Sequence, residues 1–130
     1  MRQINVAISS LTHAHVRKYY NTLLENPKLN WVAVSCEDEK IAGHFAALGY
    51  PVAVYATLTE MLESQPEIDA VILASENSKH FPEFKTCCQY KKHMLSMKIP
   101  TFDMDEYDEM ISLARDSNVI CQVELELHYN

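Results

Sequence analysis

The sequence predicts an α/β fold: a doubly wound, mainly parallel six-stranded sheet with helices on both faces. Three observations lead there. The hydrophobic period switches repeatedly between two residues and about 3.6. The segments between strands have lengths suited to right-handed βαβ crossovers. The best-defined strand, Asp69-Ala70-Val71-Ile72-Leu73-Ala74, is apolar on both alternating faces, as in a parallel sheet covered on each side.

In chain order, Ile4 to Ile8 is the first strand, and Ser9-Ser10-Leu11-Thr12-His13-Ala14-His15 forms the turn into a helix. That helix carries Val16, Tyr20, Leu23 and Leu24 at helical spacing and stops at Asn26-Pro27. Trp31 to Val34 reads as a short buried strand. Ile41, Phe45 and Leu48 mark one helical face closed by Gly49, a C-cap, and Val52 to Tyr55 is the third strand. Thr57 and Glu60 have capping-box spacing and open a short helix with Leu58, Met61 and Leu62 that ends near Pro66.

After the fourth strand, Ser75 to Lys79 is expected as an exit loop. Phe81-Pro82 then starts a helix running to about Lys91, with the proline in the tolerated first turn. His93 to Ser96 is a fifth strand. Asp103 and Glu106 form a second capping box, for a helix expected to bury Met104, Tyr107, Ile111 and Ala114. Val119 to about Leu127 completes the set as a sixth strand.

A chain of 130 residues is expected to form one domain, residues 1–130, with one core. Its net charge of -7 argues against nucleic acid or an anionic membrane as a partner. No apolar run approaches the roughly 18 residues of a membrane span, and Met1-Arg2-Gln3 enters a strand without a signal-peptide core, so a cytoplasmic location is expected. The cysteines Cys36, Cys87, Cys88 and Cys121 lack C-x-x-C spacing and are expected to be reduced and mostly buried. His13 and His15 diverge on a helix and have no third ligand, so no metal site is expected; His44 and His93 read as surface or strand-edge residues.

The strand order 3-2-1-4-5-6 is the default for this pattern, with a flavodoxin-like order as the alternative. The default places a ligand crevice at the carboxyl ends of strands one and four. A dinucleotide-binding turn there is usually G-x-G-x-x-G. Here Ser9 and Leu11 occupy the first two glycine positions and Ala14 the third, and Gly43 and Gly49 lie elsewhere. Two readings fit the turn. Ser10, Thr12 and the N–H groups near His13 hold a phosphate while the Leu11 side chain points away, or the turn only joins strand to helix. After the second strand, Cys36-Glu37-Asp38-Glu39 likewise has two readings. Glu37 or Asp38 accepts hydrogen bonds from an adenosine ribose and, with no arginine nearby, favours NAD over NADP, or the acids answer a helix dipole.

Val71-Ile72-Leu73-Ala74-Ser75-Glu76-Asn77-Ser78-Lys79-His80 resembles the apolar strand, Asn-containing loop and histidine of the Gfo/Idh/MocA family of oxidoreductases. Tyr90 to Pro100 resembles that family's "GKHVLCEKP" segment, and Leu29 to Phe45 its second strand and helix. The resemblance covers nearly the whole chain. It implies an NAD(P)-binding Rossmann domain in which Ser75, Asn77 and His80 line the cofactor crevice. Lys98 would match the motif lysine near the nicotinamide ribose and substrate, the one residue implied to be catalytic. Met97 stands where the motif has glutamate, Ile99 where it has proline, and Cys36 where the family usually has a ribose-binding aspartate.

Family members are normally much longer, with a second domain that supplies the substrate pocket, here a sugar or polyol site by family habit. The resemblance therefore implies a dinucleotide-binding domain that does not turn over substrate alone. A final strand left uncovered predicts a homo-oligomer. The alternative is a non-catalytic module of the same fold with a degenerate nucleotide site, acting in protein assembly. A receiver domain, which this length and the Lys98-Ile99-Pro100 segment would suit, fits poorly, because Ser9-Ser10 and Tyr55-Ala56 stand where it needs acids.

Overall fold

The computed structural model describes residues 3–11, 17–74, 77–97 and 104–124, with the backbone alone at 17–19, 77–81, 96–97, 104, 106–107 and 121–124. The elements follow as β1 (Ile4–Ser9), α1 (Arg17–Glu25), β2 (Leu29–Ser35), α2 (Glu39–Ala47), β3 (Ala53–Tyr55), α3 (Leu58–Ser64), β4 (Ala70–Leu73), α4 (Asn77–Gln89), β5 (His93–Met97), α5 (Met104–Ser117) and β6 (Cys121–Glu124). Every strand pairing is parallel, and the six strands lie in the order β3-β2-β1-β4-β5-β6. That is the default order expected from the sequence. The order reverses between β1 and β4, which fixes where the sheet opens for a ligand.

Strand alternation supplies both faces. Ala7, Ala33, Val71 and Leu73 join one cluster with Leu58, Met61 and Leu62 of α3, Phe84, Cys87 and Cys88 of α4 and Met110 of α5. Val6, Ile8, Val34 and Ile72 join the other with Tyr20 and Leu23 of α1 and Phe45 of α2. On that second face Tyr20, Trp31, Phe45 and Tyr50 form a ring cluster with centroids 5.2 to 5.9 Å apart, a spacing at which stacked and edge-on pairs attract. A bulge in β2 between the partners of Val6 and Ala7 resets the register, so that Val6 faces Trp31 and Ala7 faces Ala33. Cys36, Cys87 and Cys88 are buried free thiols, as expected.

The helix boundaries follow local chemistry. Asp38 caps α2 and Thr57 caps α3, the latter accepting from the Glu60 amide. Gly49 ends α2 at φ +78, a left-handed turn that needs no Cβ. Lys91 (φ 57) ends α4 the same way: the Lys92 amide reaches back to the Cys87 carbonyl and the Lys91 amide to the Cys88 carbonyl. Asn118 (φ 58) does so after α5, with the Val119 amide on the Ala114 carbonyl and its own amide on that of Arg115.

Several expectations are corrected. The loop expected over Ser75 to Lys79 is already helical from Asn77, and Pro82 lies inside α4 rather than in its first turn. Only one turn of helix precedes it, so its missing N–H costs a single early hydrogen bond. The helix ends at Gln89, short of Lys91, because Lys91 turns left-handed. Leu24, Leu48 and Ile111 are exposed, at 44%, 61% and 44%. On α5 the buried stripe runs through Met110, Leu113 and Ala114, which puts Ile111 on the solvent side. The side chains of Met104 and Tyr107, the turn at 12–16 with Val16, the capping residue Asp103 and the last residues, 125–130, lie outside the described set. Among the described residues no helix is long and apolar enough to cross a membrane.

Candidate functional site

At the carboxyl ends of β1, β2 and β4 each strand is tied to its neighbour one residue beyond the ladder. The Ser10 amide donates to the Ser35 carbonyl at 2.6 Å, the Cys36 amide to Tyr55 at 2.9 Å and the Ala74 amide to Ser9 at 2.9 Å. These bonds make a fixed rim and satisfy buried backbone groups that would otherwise need water.

A cleft of about 420 Å³ opens over this rim. Its floor is Ser9, Ser10, Ser35 and Cys36, one wall is Glu37 and Asp38, and Thr57 and Thr59 add hydroxyls from the start of α3. Pro82, Glu83 and Thr86 close it from α4. The lining is rich in hydroxyls and carboxylates. Among its described residues the charged ones are Glu37, Asp38 and Glu83, all acidic.

The turn after β1 is bound up by its own contacts. Ser9 is 1% exposed, and its hydroxyl donates to Oε2 of Glu83. Ser10 has φ 73, and its amide is committed to Ser35. Leu11 is buried among Val6, Ile8 and Ile72, directed into the core rather than the cleft. The tight backbone that glycines usually allow is thus made at Ser10, in the left-handed region.

At the second turn, Oδ1 of Asp38 accepts from the Lys40 amide at 3.0 Å and the Ile41 amide at 3.1 Å, so one carboxylate oxygen serves the helix. Glu37 is exposed beside it. The buried Cys36 thiol lies 3.6 Å from the Asp38 carbonyl and cannot replace a ribose-binding carboxylate, because it offers only a weak acceptor.

Of the sequence-derived candidates, the structure gathers Ser9, Ser10, Glu37 and Asp38 into one cleft and sends Leu11 to the core. Asn77 and His80 lie in the first turn of α4 by their backbone. Thr12, His13, Ser75 and Lys98 lie outside the described residues. Sequence reading missed Ser35, Thr57, Thr59, Thr86 and Glu83. The capping box at Thr57 carried a signal, since it puts a hydroxyl just past β3. For Glu83 the signal was masked by the helix start assigned at Phe81.

The donor and acceptor set suits the nucleoside part of a dinucleotide, whose hydroxyls donate to carboxylates. Comparison with known proteins agrees with that class. The profile described as "Oxidoreductase family, NAD-binding Rossmann fold" (Gfo/Idh/MocA) matches residues 5–125. The uncharacterised oxidoreductase YgjR of Escherichia coli is 30% identical over 104 residues, covering 80% of this chain and 31% of YgjR. A presumptive dehydrogenase from Bordetella bronchiseptica superposes with a TM-score of 0.85 at 26% identity, over 93% of this chain and 31% of that one. GenD2 from gentamicin A biosynthesis, solved in complex with NAD, shares the fold with a TM-score of 0.81 at 17% identity, over 95% of this chain and 34% of its own. The chain thus spans about a third of the length of these relatives.

Proposed function

This chain belongs to the Gfo/Idh/MocA oxidoreductase family, matched over residues 5–125, and from that premise we propose that it is a domain binding NAD in preference to NADP. One observation carries the reading: a single cleft gathers Ser9 and Ser10 from the end of β1 with Glu37 and Asp38 from the end of β2. In this reading Glu37 and the free oxygen of Asp38 accept from the adenosine ribose hydroxyls and repel a 2′-phosphate. The turn through Ser9, Ser10, Leu11, Thr12 and His13 faces the diphosphate. Ser75, Asn77 and His80 line the crevice toward the nicotinamide, and Lys98 approaches the nicotinamide ribose and the substrate as the catalytic residue.

When bound, the nicotinamide supplies the hydride chemistry. The chain's own residues bind and orient it. Turnover also needs a substrate held against the nicotinamide in a dry site. We assign that part, for a sugar- or polyol-type substrate, to protein outside this domain, so that the domain alone binds without turnover. Reduced thiols such as Cys36, Cys87 and Cys88 suit a cytoplasmic setting. Self-association belongs to the same proposal, because β6 lies at the sheet edge and Ile120 is 69% exposed. Sedimentation at high protein concentration should show dimers or larger species, and a strictly monomeric profile would refute it.

The test is a titration with NADH and NADPH, followed by fluorescence and by thermal shift. NADH should raise the melting temperature more than NADPH, and Glu37→Gln should narrow the difference. If neither dinucleotide at millimolar concentration moves the melting temperature, the cofactor reading fails. The rival, an assembly module with a degenerate nucleotide site, is favoured by the commitment of the Ser10 amide to Ser35, and that null result would support it.

A further inference from the structure

Ser35 ends β2 and is only 3% exposed, yet it lines the cleft. Its side chain points to the α3 and α4 side of the sheet. Ala33, two residues earlier, packs in the cluster with those helices, and Ser9, the register partner of Ser35, sends its hydroxyl to Glu83 of α4 on the same side. Across β1, β2 and β3 the row on this face is Ser9, Ser35 and Tyr55. The outer two hydroxyls have partners, Ser9 in Glu83 and Tyr55 in the Gln65 side-chain amide, which donates to it at 2.9 Å. Among the described residues the Ser35 hydroxyl makes no hydrogen bond, although the Ser35 carbonyl accepts from the Ser10 amide. A buried hydroxyl without a protein partner is uncommon, and in the floor of a cleft it points to a ligand atom that supplies one.

Other donors of the lining are taken: the Ser10 and Cys36 amides by carbonyls of neighbouring strands, and the Thr86 hydroxyl by the Pro82 carbonyl at 3.1 Å. Ala56, Leu58 and Pro82 give the same cleft carbon surface on which a flat ring can rest. Ser35 and Glu37 stand two residues apart, at most about 7 Å along the chain, a separation that a ribose and the base it carries can bridge. We propose that Ser35 is a specificity-determining residue for the base: its hydroxyl donates to a ring nitrogen of an adenine seated in this cleft, with the ribose on the wall of Glu37 and Asp38. This rests on the dinucleotide reading above and deepens it. A ring nitrogen offers a lone pair and no proton, so it matches a hydroxyl that has a proton to give. The free protein buries that hydroxyl unpaired and the complex pairs it, a difference of about tenfold in affinity, the usual net worth of one neutral hydrogen bond.

Calorimetric titration of the wild type and of Ser35→Ala with adenosine and NADH, beside thermal melts of the unliganded proteins, tests it. Ser35→Ala should bind both ligands about tenfold more weakly, while its own melting temperature stays level or rises. A hydroxyl that served only the fold would give the reverse, a lower melting temperature with unchanged affinity. The wild type supplies a test without any variant, in the deazaadenosines that each carry carbon in place of one acceptor nitrogen of the ring. One of them should bind about tenfold more weakly than adenosine, and Ser35→Ala should not distinguish that one from adenosine. Equal binding of the whole series by the wild type overturns the inference, as does a penalty that persists in Ser35→Ala or an unchanged affinity of Ser35→Ala for NADH. Each of these leaves the dinucleotide reading intact. If the wild type binds neither adenosine nor NADH, both fall together. Should Ser35→Ala melt lower or fail to fold, the wild-type series decides alone.

Discussion

The amide of Ser10 donates to the carbonyl of Ser35 at 2.6 Å, which locks the turn after β1 onto the turn after β2. The bond holds Ser10 at φ 73, a left-handed conformation that costs a non-glycine residue about 1 kcal/mol. Ser10→Gly keeps the amide and removes the strain, and should stabilise the protein by about 0.5 to 1 kcal/mol in urea denaturation. Ser10→Pro lacks the amide and cannot reach the angle, so it should destabilise.

Asp38 has two separable tasks. Its Oδ1 caps α2 by accepting from Lys40 and Ile41, so Asp38→Ala should cost about 1 kcal/mol. Asp38→Asn retains an oxygen for the cap and should keep the stability. If the carboxylate also serves the ribose, the same Asn variant should bind NADH more weakly, a split between denaturation and titration that a cap alone would not produce.

Lys91 closes α4 at φ 57, where a Cβ crowds the backbone. Lys91→Gly should raise stability by about 1 kcal/mol, read as a melting-temperature rise of a few degrees. Asn118 closes α5 at φ 58, and Asn118→Gly should gain less, since asparagine tolerates this region better than lysine.

Alkaline pH should weaken the fold through two groups. Burial pushes the Cys88 thiol above its ordinary 9.0, against a smaller opposing effect of a hydrogen bond with Ser117. The bond from the Tyr90 hydroxyl to Glu63 raises the phenol above its ordinary 10.0, with burial and the Glu63 charge acting in the same sense. Both groups hold their protons more tightly when folded. Their contributions are therefore complete below the unfolded pKa values and are lost as pH rises through the folded ones. Thermal melts should be level in this respect below about pH 9 and fall above it. Cys88→Ala should flatten the first part of the fall and Tyr90→Phe the later part.

The sheet was legible because its strands announce themselves. Val71 to Ala74 is apolar on both faces, and Thr57 and Gly49 mark helix ends by chemistry that needs no tertiary partner. The start of α4 was not legible, since Pro82 reads as a first-turn residue while the fold tolerates it one turn later. That shift hid Glu83, which reaches Ser9 across 74 positions of sequence. Ile111 was misplaced because Ile111 and Met110 are adjacent apolar residues, and only packing decides which of them turns inward. Within the candidate site, Glu37 and Asp38 were visible from their place after a strand. The commitments of the Ser9 hydroxyl and the Ser10 amide depend on contacts that no local pattern encodes.

β1 and β4 each feed both clusters by alternate residues: Ala7 one way and Val6 and Ile8 the other, Val71 and Leu73 one way and Ile72 the other. Neither layer of helices can detach without stripping one side of the same two strands. Unfolding should therefore be a single cooperative event. In hydrogen exchange, the amides of Ala7, Ile8, Val71 and Ile72 should open only with the whole molecule, while those of the β3 edge exchange through local fluctuations.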